Sequence, residues 1–405
     1  MKHHKTLRAL FSFQGFSAKQ TLLGKFGDPK IRIIKLVRRK KAVCSNCNTI
    51  CKSYYDKSLK TVRDLDVSNR RIYLKFIRVR VNCQECNAVH VEKLDWLADN
   101  TRYTKRFAME VGKCCRDSTN KAVARKFGLD EHTVKVLDIQ YMKACLMKLP
   151  KMSPTIIGVD EVAIRKGHRY RIVVSDLILE RPIWVGKEGR KEADFQVFFN
   201  KLGKNKSLKI KLSVMDMWVP FRNGVEKNSP DSGILYDKFH VMLHLNNAVD
   251  QVRRNEYNRL PKKQRRYIKG KRFLLLAHMK NLDARGKKSL KELFSVNRRL
   301  YKAYTLKEQF SQLWDYKTET WARKFFDNWK SQLRWQRLDP LVKFAEMVER
   351  HWDGIAIHCT FKDDIKLGYV EGANNKIKVI QRQAYGYRDD EYLELKILTA
   401  FLPRK

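Results

Sequence analysis

The alternation of apolar and polar positions is clearest in the middle of the chain. TIIGVDEVAI, 155–164, is an apolar run with Asp160 near its middle, which predicts a buried strand. HRYRIVVSDLIL then alternates and RPIWVG follows a turn, so three consecutive short strands are predicted to form an antiparallel meander. KEADFQVFFNKLG carries apolar residues at 195, 198, 199 and 202, which is the stripe of an amphipathic helix.

Two further strands are predicted, and both run into acids. IKLSVMD, 210–216, ends on Asp216, and GILYDKFHV runs into Asp237 and His240. Three strands, a helix, a strand, a helix and a strand predict the α/β class, with an RNase-H-like mixed sheet whose first and fourth strands carry acids.

In GYVEGANNKIKVIQRQA the apolar residues recur at intervals of three and four, which predicts a helix with one buried stripe. Glu371 lies one position off that stripe, at the rim of the core, where it can reach acids on the sheet. Asn374 or Asn375, Lys378 and Arg382 share its row and are predicted to hold substrate phosphates. The alternative interpretation of Glu371 is a surface acid among basic neighbours, worth roughly 0.2–0.5 kcal/mol.

The segment RDSTNKAVARKFGLDEHTVKVLDIQYMKA, 116–144, has the pattern of a helix-turn-helix. Gly128 permits a sharp break between the two helices, and Asp130 can cap the second one. Helical hairpins that bind nothing share this pattern, so DNA contact is one of two interpretations. The residues predicted to face the major groove are Glu131, His132, Thr133 and Lys135.

Charge then narrows the class of partner. The 405 residues include 86 Lys plus Arg against 43 Asp plus Glu, a formal net charge of +43. Such an excess favours a polyanion as partner, above all nucleic acid, over a merely solvated basic surface. The chain has no run of 18 apolar residues and no signal-peptide pattern at its amino end, so we predict a soluble, cytoplasmic protein that does not enter a membrane.

Four of the nine cysteines come as two CxxC pairs, Cys44 with Cys47 and Cys83 with Cys86. Two such turns can offer a tetrahedral set of thiolates, so the pattern predicts a structural Zn²⁺ in a zinc ribbon. Four reduced core cysteines are the alternative, but they would not need to be paired. Cys51 and His90 are near enough to be substitute ligands, although bystander roles are favoured. The cysteines without ligand spacing, predicted to be buried thiols, are Cys114, Cys115, Cys145 and Cys359.

Acids at the ends of neighbouring strands repel one another unless cations or basic groups lie between them. Carboxylate oxygens suit Mg²⁺, and two such ions serve phosphoryl transfer in many enzymes. We therefore expect Asp160 and Asp216 to bind a pair of Mg²⁺ (or Mn²⁺) ions, at a place that Glu371 could reach.

The long separation of Asp216 from Glu371 predicts an inserted helical subdomain rather than a single crossover. Four tryptophans of this subdomain either form its core or stack on flipped terminal bases of DNA. They are Trp314, Trp321, Trp329 and Trp335. The predicted domains are an amino-terminal segment of unassigned role (1–40), the zinc ribbon (41–100), the helix-turn-helix (101–150), the RNase-H-like core (151–245 and 362–405) and the helical insertion (246–361).

Four blocks, in order, resemble the signature of the ISL-three family of bacterial insertion-sequence transposases. They are IIGVDEVAIRKGHRY, LSVMDMWVPFRNGV, YDKFHVMLHLNNAVDQVRR and GYVEGANNKIKVIQRQAYGYR. The resemblance implies an Asp, Asp, Glu triad at Asp160, Asp216 and Glu371, with Asp237 and His240 of a DxxH element in support. The paired cysteines and the helical hairpin are similar to the family's amino-terminal zinc finger and DNA-binding hairpin. The chain departs from the family pattern at VHVE, 89–92.

The resemblance implies a transposase that binds the terminal inverted repeats of its element and target DNA, acting as a dimer or higher oligomer at the nucleoid. Water would first cut a strand, and the freed 3′-hydroxyl would then attack target DNA. A regulator that keeps the fold without cutting is the main alternative, and a nuclease acting on RNA-containing hybrids is another. The sequence leaves the terminal repeat, the target preference and the choice between cut-and-paste and copying open.

Overall fold

The computed structural model combines helices and strands, which confirms the α/β prediction. Within the described part of the chain, no helix is both long enough and apolar enough to cross a membrane. The described residues are 9–25, 28–165, 169–361 and 368–403.

The chain divides into two compact units. The amino-terminal unit comprises Met1–Leu149 and Glu391–Ala400, and the central unit comprises Pro150–Asp390 and Phe401–Lys405. Ten residues near the carboxyl end therefore group with the amino-terminal unit, whereas the sequence pattern placed all of 362–405 in the core.

Long alternating segments build the sheet of the amino-terminal unit. Its strands are β1 (Phe16–Lys25), β2 (Asp28–Arg38), β3 (Ala42–Val43), β4 (Ile50–Cys51), β5 (Tyr54–Val67), β6 (Arg70–Cys83) and β7 (Ala88–Val91). The sheet order is β1-β2-β6-β5, with β7 paired to β6, and β3 and β4 form a separate pair. In β6, buried and exposed residues alternate over much of the strand, as in a strand with one face on the core. The amino-terminal segment, for which no role was predicted, supplies the edge strand β1 and its neighbour β2.

Glu92, in the stretch that departs from the family pattern, has a structural role in this unit. It is buried, it accepts a hydrogen bond from the backbone N–H of Val79 at 2.9 Å, and it pairs with Arg38 at 2.6 Å. Glu92 thus links the end of β7 to β2 through a charged hydrogen bond.

Three capped helices follow the sheet. They are α1 (Lys105–Cys114), α2 (Asn120–Phe127) and α3 (Glu131–Met147). Thr104, Thr119 and Asp130 each accept a backbone N–H bond at a helix start, so Asp130 caps as predicted. Gly128 ends α2 with φ 63°, in the left-handed region that favours glycine. The apolar faces meet in one core that includes Phe107, Val111, Phe127, Val134 and Leu137.

The central unit is built on a mixed sheet. Its strands are β8 (Ile156–Arg165), β9 (Arg169–Asp176), β10 (Arg181–Glu188), β11 (Leu212–Met215) and β12 (Gly233–Tyr236), in the order β10-β9-β8-β11-β12. The first three strands are antiparallel, as the predicted meander requires. β11 lies parallel to β8 on one side and to β12 on the other. The helix α4 (Glu192–Leu202) buries all four residues of its predicted stripe.

Helices dominate the rest of the central unit. They are α5 (Lys204–Ser207), α6 (Val219–Asn228), α7 (Lys238–Arg259), α8 (Lys262–Arg265), α9 (Arg272–Leu276), α10 (Ala284–Val296), α11 (Arg298–Phe310), α12 (Glu319–Ser331), α13 (Asp339–Arg350), α14 (Trp352–Ala356) and α15 (His358–Phe361), with short 3-10 helices at Met279–Asn281 and Ser311–Asp315. Ile157 of β8 and Trp329 of α12 belong to the same hydrophobic cluster. The helical region between 246 and 361 therefore shares the core of the sheet.

Two helices end the chain, α16 (Gly368–Gln383) and α17 (Asp390–Ala400). α16 is the helix predicted from the intervals of three and four, and Val370, Ala373 and Ile377 of its stripe are buried. α17 packs within the amino-terminal unit, where Lys396 pairs with Asp138 of α3.

Candidate active site and DNA-binding helices

Three acids lie at one edge of the central sheet, where adjacent parallel strands end. Asp216 directly follows β11 and Asp237 directly follows β12, while Asp160 lies within β8. Met215 pairs in register with the residue before Asp160 on one side and the residue before Asp237 on the other. The three carboxylates are therefore level with one another across β8, β11 and β12.

Hydrogen bonds orient these carboxylates. Asp160 and Asp216 each accept a bond from the backbone N–H of the following residue, at 2.7 and 2.6 Å. Asp237 caps α7 by accepting a backbone N–H at 2.9 Å. One turn into α7, His240 Nδ1 lies 3.4 Å from Asp216 Oδ2. The DxxH spacing thus places Asp237 and His240 close to Asp160 and Asp216.

Burial and nearby negative charge raise the pKa of two of these acids, Asp160 and Asp237. Burial raises the pKa of Asp160 to about 6, and the charge of Asp216 adds to this effect while His240 opposes it. Burial also raises the pKa of Asp237, with further contributions from the negative charges of Glu371 and Asp216. Uncompensated negative charge of this kind is relieved when cations bind between carboxylates.

The helix that carries Glu371 packs closely against β8. A Cβ on Gly158 would lie 2.8 Å from Val370 Cγ2 and 2.9 Å from Leu177 Cδ2, so only glycine admits the helix at this depth. On the next turn, Asn374 is buried and donates a hydrogen bond from Nδ2 to Asp160 Oδ2. The pattern had assigned Asn374 to substrate phosphates, and the structure gives its amide this carboxylate instead.

Glu371 lies in the first turn of α16 and is exposed. Its charge acts on Asp237, which places it in the electrostatic surroundings of the strand-end acids. Lys378 and Arg382 lie further along the same helix and are exposed, as substrate-binding residues would need to be.

Sequence reasoning missed Arg190 beside this site. Its guanidinium pairs with Glu161, next to Asp160, at 3.0 Å and lies 4.6 Å from the ring centroid of Trp218, two residues after Asp216. Arg190 is in the loop between β10 and α4, which has no periodicity, so the only signal for it was its basic character.

The two cysteine pairs come together in the amino-terminal unit. The sulfur atoms of Cys44, Cys47, Cys83 and Cys86 lie within 4.8 Å of one another, as a single metal ion requires. In the described part of the chain, this group of potential metal ligands does not include Cys51 or His90. Hydrogen bonds from the side chain and backbone of Thr49 lower the pKa of Cys47 to about 6, which favours a thiolate there.

The four cysteines predicted to be buried thiols differ in burial. Cys115 is buried as predicted, and burial raises the pKa of its thiol to about 12. Cys114, Cys145 and Cys359 are only partly buried, because each lies on a helix face that borders the core.

The predicted DNA-facing residues lie at the start of α3. Glu131 and His132 are exposed. Thr133 is half-buried and its hydroxyl donates to Asp130 at 2.7 Å, so it completes the helix cap. Lys135 is also half-buried, and its ammonium lies 5.3 Å from the ring centroid of Tyr392 on α17.

The four tryptophans singled out from the sequence divide into two pairs. Trp314 and Trp329 are buried in the core, where their indole N–H groups bond to Met242 and to the carbonyl of Leu306. Burial excludes these two from stacking on bases. Trp321 and Trp335 are 60% and 81% exposed and lie against basic side chains.

Aligned acids on the central sheet and a capped helical hairpin are the two features expected of an enzyme that acts on DNA. A family model described as "Transposase" matches residues 157–397. A second model, described as "Helix-turn-helix domain of transposase family ISL3", matches residues 92–136. The first model covers Asp160, Asp216 and Glu371, and the second covers α1, α2 and the start of α3.

Similar proteins cover nearly all of the chain. The transposase for insertion sequence element IS1001 of Bordetella parapertussis is 33% identical over 404 residues, 99% of each chain. The transposase for IS1557 of Mycobacterium tuberculosis is 25% identical over 390 residues, which is 89% of this chain and 87% of the relative. The chain belongs to the ISL3 family of transposases, which confirms the resemblance and the predicted transposase function. The helix-turn-helix identifies DNA as its partner.

Proposed function

We propose that this transposase cuts DNA at the ends of its element and joins the freed ends to target DNA, using Asp160, Asp216 and Glu371. The observation that carries the proposal is the alignment of Asp160, Asp216 and Asp237 at three parallel strand ends beside the helix of Glu371. We interpret the sheet order β10-β9-β8-β11-β12 as an RNase-H-like catalytic core with the helices of 246–361 as its insertion.

The donor set fits divalent cations. Asp160, Asp216 and Glu371 would hold two Mg²⁺ or Mn²⁺ ions, because carboxylate oxygens are the ligands that these ions prefer. Burial, together with the charge of Asp216, already raises the pKa of Asp160. When bound, the ions lower the pKa of attacking water and stabilise negative charge on the leaving oxygen. Asp237 adds a fourth carboxylate at the same edge.

The reaction divides into two displacements at phosphorus. In cleavage, an oxygen of water forms a bond to phosphorus and the bond to the 3′ oxygen breaks, leaving a 3′-hydroxyl. In transfer, that 3′ oxygen bonds to a target phosphorus and a target phosphoester bond breaks. His240, oriented by Asp216, is placed to take up or release a proton. The exposed Lys378 and Arg382 would hold the phosphates, together with the half-buried Arg190 beside Glu161.

A structural Zn²⁺ fits the four sulfur atoms of the amino-terminal unit. Four cysteines with mutually close sulfurs form the soft, tetrahedral donor set that Zn²⁺ prefers. Binding would fix the β3–β4 pair to the β6–β7 turn, so the energy of metal binding contributes to folding of this zinc-ribbon region.

The hairpin is the proposed reader of terminal repeats. Glu131 and His132 would contact base edges from the start of α3, and Lys135 the adjacent backbone. Thr133 would act through the cap rather than as a direct contact. Joining two element ends requires two sites, so we propose at least a dimer working at the nucleoid.

The test is a cleavage and strand-transfer assay with purified protein, Mg²⁺, a labelled duplex from the flank of the gene and a target plasmid. Asp160→Asn, Asp216→Asn and Glu371→Gln should each abolish both products while duplex binding remains. Asp231→Asn, at an exposed acid away from the strand ends, is the matched control and should cut normally.

Retained cutting in the triad variants would overturn the assignment of the site. Binding of the element ends without any metal-dependent cutting would instead identify a regulator. A parallel RNA–DNA hybrid substrate distinguishes the remaining alternative, because a hybrid nuclease would prefer it to duplex DNA.

A further inference from the structure

Two adjacent asparagines on α16 have different surroundings. Asn374 is 8% exposed, and its Nδ2 donates a hydrogen bond to Asp160 Oδ2. Asn375, the next residue, is exposed. A residue that holds substrate phosphates has to be accessible, so the burial of Asn374 argues for a different role.

The contacts of Asp160 show what that role is. One carboxylate oxygen accepts the backbone N–H of Glu161, and the other accepts the amide of Asn374. The first contact comes from the same strand, but the second comes from α16. The orientation of the Asp160 carboxylate therefore depends on where α16 lies.

The same helix carries Glu371, three residues before Asn374. Between the two, Ala373 is buried, and just before Glu371 the buried Val370 packs where Gly158 leaves room. Packing at Val370 sets how closely α16 approaches β8. The hydrogen bond from the Asn374 side-chain amide fixes the position of α16 relative to Asp160. A shift of α16 would move both triad members together.

We propose that Asn374 is a positioning residue, which holds the carboxylate of Asp160 and the helix of Glu371 in one fixed relation. This inference rests on the proposed function. A neutral amide suits the task because it orients a carboxylate without cancelling the charge that a cation needs. Lysine in its place would neutralise that charge, and aspartate would add repulsion.

The test compares Asn374→Ala and Asn374→Asp with Asn375→Ala. Cleavage is measured against Mg²⁺ concentration, Mn²⁺ binding is measured by calorimetry without DNA, and duplex affinity is measured separately. Removing a hydrogen-bond partner of a ligating carboxylate typically weakens metal affinity or activity about 10–100-fold. We expect that loss of metal affinity in both Asn374 variants, with unchanged duplex affinity. Asn375→Ala, at the exposed asparagine that could hold a phosphate, should keep the Mn²⁺ affinity of the parent protein.

Two results would overturn the proposal. Weaker duplex binding with an unchanged Mg²⁺ dependence would make Asn374 a phosphate contact, and a Mn²⁺ affinity equal to that of Asn375→Ala would leave it no role in holding Asp160. Thermal unfolding of each variant identifies a folding defect, in which case the isosteric Asn374→Asp decides through Mn²⁺ binding. Asp160→Asn is run alongside, because cutting by that variant would defeat the proposed function itself whatever Asn374 does.

Discussion

Lys396 of α17 and Asp138 of α3 form a buried ion pair between the last described helix and the second helix of the DNA-binding hairpin. Lys396 Nζ lies 2.6 Å from Asp138 Oδ2, and the Asp138 side chain is 1% exposed. Asp138 also accepts the hydroxyl of Tyr392 at 2.6 Å. Burial raises the pKa of Asp138 and Lys396 opposes the shift. The carboxyl-terminal helix is therefore a structural part of the unit that binds DNA.

Replacing Lys396 by Met should destabilise the amino-terminal unit. The substitution leaves the carboxylate of Asp138 buried without its cation, and breaking a buried pair in this way costs about 3–5 kcal/mol. Urea unfolding, followed by circular dichroism, measures the change. The matched control is Glu391→Ala, which removes the exposed pair with Lys143 on the same two helices and should cost less than about 1 kcal/mol. Equal losses of unfolding free energy in Lys396→Met and Glu391→Ala would contradict the role of the Lys396–Asp138 pair as a buried, stabilising contact.

Replacing Gly158 by Ala should impair cleavage without affecting the DNA-binding hairpin. The added methyl group would meet Val370 and Leu177 at under 3 Å, so α16 must move away from β8 and take Glu371 and Asn374 with it. Overpacking of this kind costs about 1–3 kcal/mol, and cleavage should fall further than stability alone explains.

The control for this substitution is Gly372→Ala on the same helix, where an added Cβ has nothing within 4 Å. It should be neutral or stabilising by up to about 1 kcal/mol, because alanine is the better helix former. Normal cutting by Gly158→Ala would show that the depth of α16 is unimportant.

Asp160→Asn should stabilise the protein at neutral pH when Mg²⁺ is absent and zinc is bound. The pKa of Asp160 in the folded protein is about 6, above the ordinary value of 3.8, so ionising this group opposes folding. The free-energy penalty for ionising Asp160 in the folded protein is absent below pH 4, grows as pH rises towards 6 and is complete above pH 6. We expect the variant to gain about 1–3 kcal/mol at pH 7.5 and nothing at pH 4, measured by urea unfolding. A gain that did not depend on pH would point to packing rather than charge.

Loss of one cysteine of the cluster should release zinc. Cys83→Ala leaves three sulfur ligands, so the purified variant should contain less than one equivalent of Zn²⁺ by elemental analysis and should melt at a lower temperature. Cys51→Ala is the control, because Cys51 is buried nearby but lies outside the cluster. Full zinc content in Cys83→Ala would contradict the ligand assignment.

The two pairs of tryptophans should respond in opposite ways. Trp329→Ala removes a buried side chain and should cost about 3–5 kcal/mol of stability. Trp335→Ala removes an exposed one and should leave stability unchanged. If Trp335 stacks on an unpaired terminal base, its loss should weaken binding to a frayed end by about 1–3 kcal/mol, while affinity for a fully paired duplex stays the same. Fluorescence anisotropy with the two duplexes measures the difference.

The local patterns of the sequence were enough to predict the strands of the central sheet, the helix α4, the hairpin and α16. Alternation predicted the meander of β8 to β10, intervals of three and four predicted α16, and Gly128 with Asp130 predicted the turn of the hairpin. These features follow from the period of each element and from backbone preferences of single residues, which are properties of short segments.

The sequence also determined which chemistry is available. The paired cysteines marked their own cluster, because the spacing within each CxxC turn already brings two sulfurs together. Asp216 and Asp237 were recognisable because each directly follows an apolar run, and the carboxyl ends of parallel strands share one sheet edge.

Only the tertiary structure decided which residues meet across long distances in the chain. The bond from Asn374 to Asp160, the return of Lys396 to Asp138 and the burial of Trp329 all depend on packing between segments that are far apart in sequence. Helical spacing restricts the face on which a residue lies but not what covers that face. The three acids of Asp160, Asp216 and Asp237 could be listed from the sequence, whereas their alignment required the register of β8, β11 and β12.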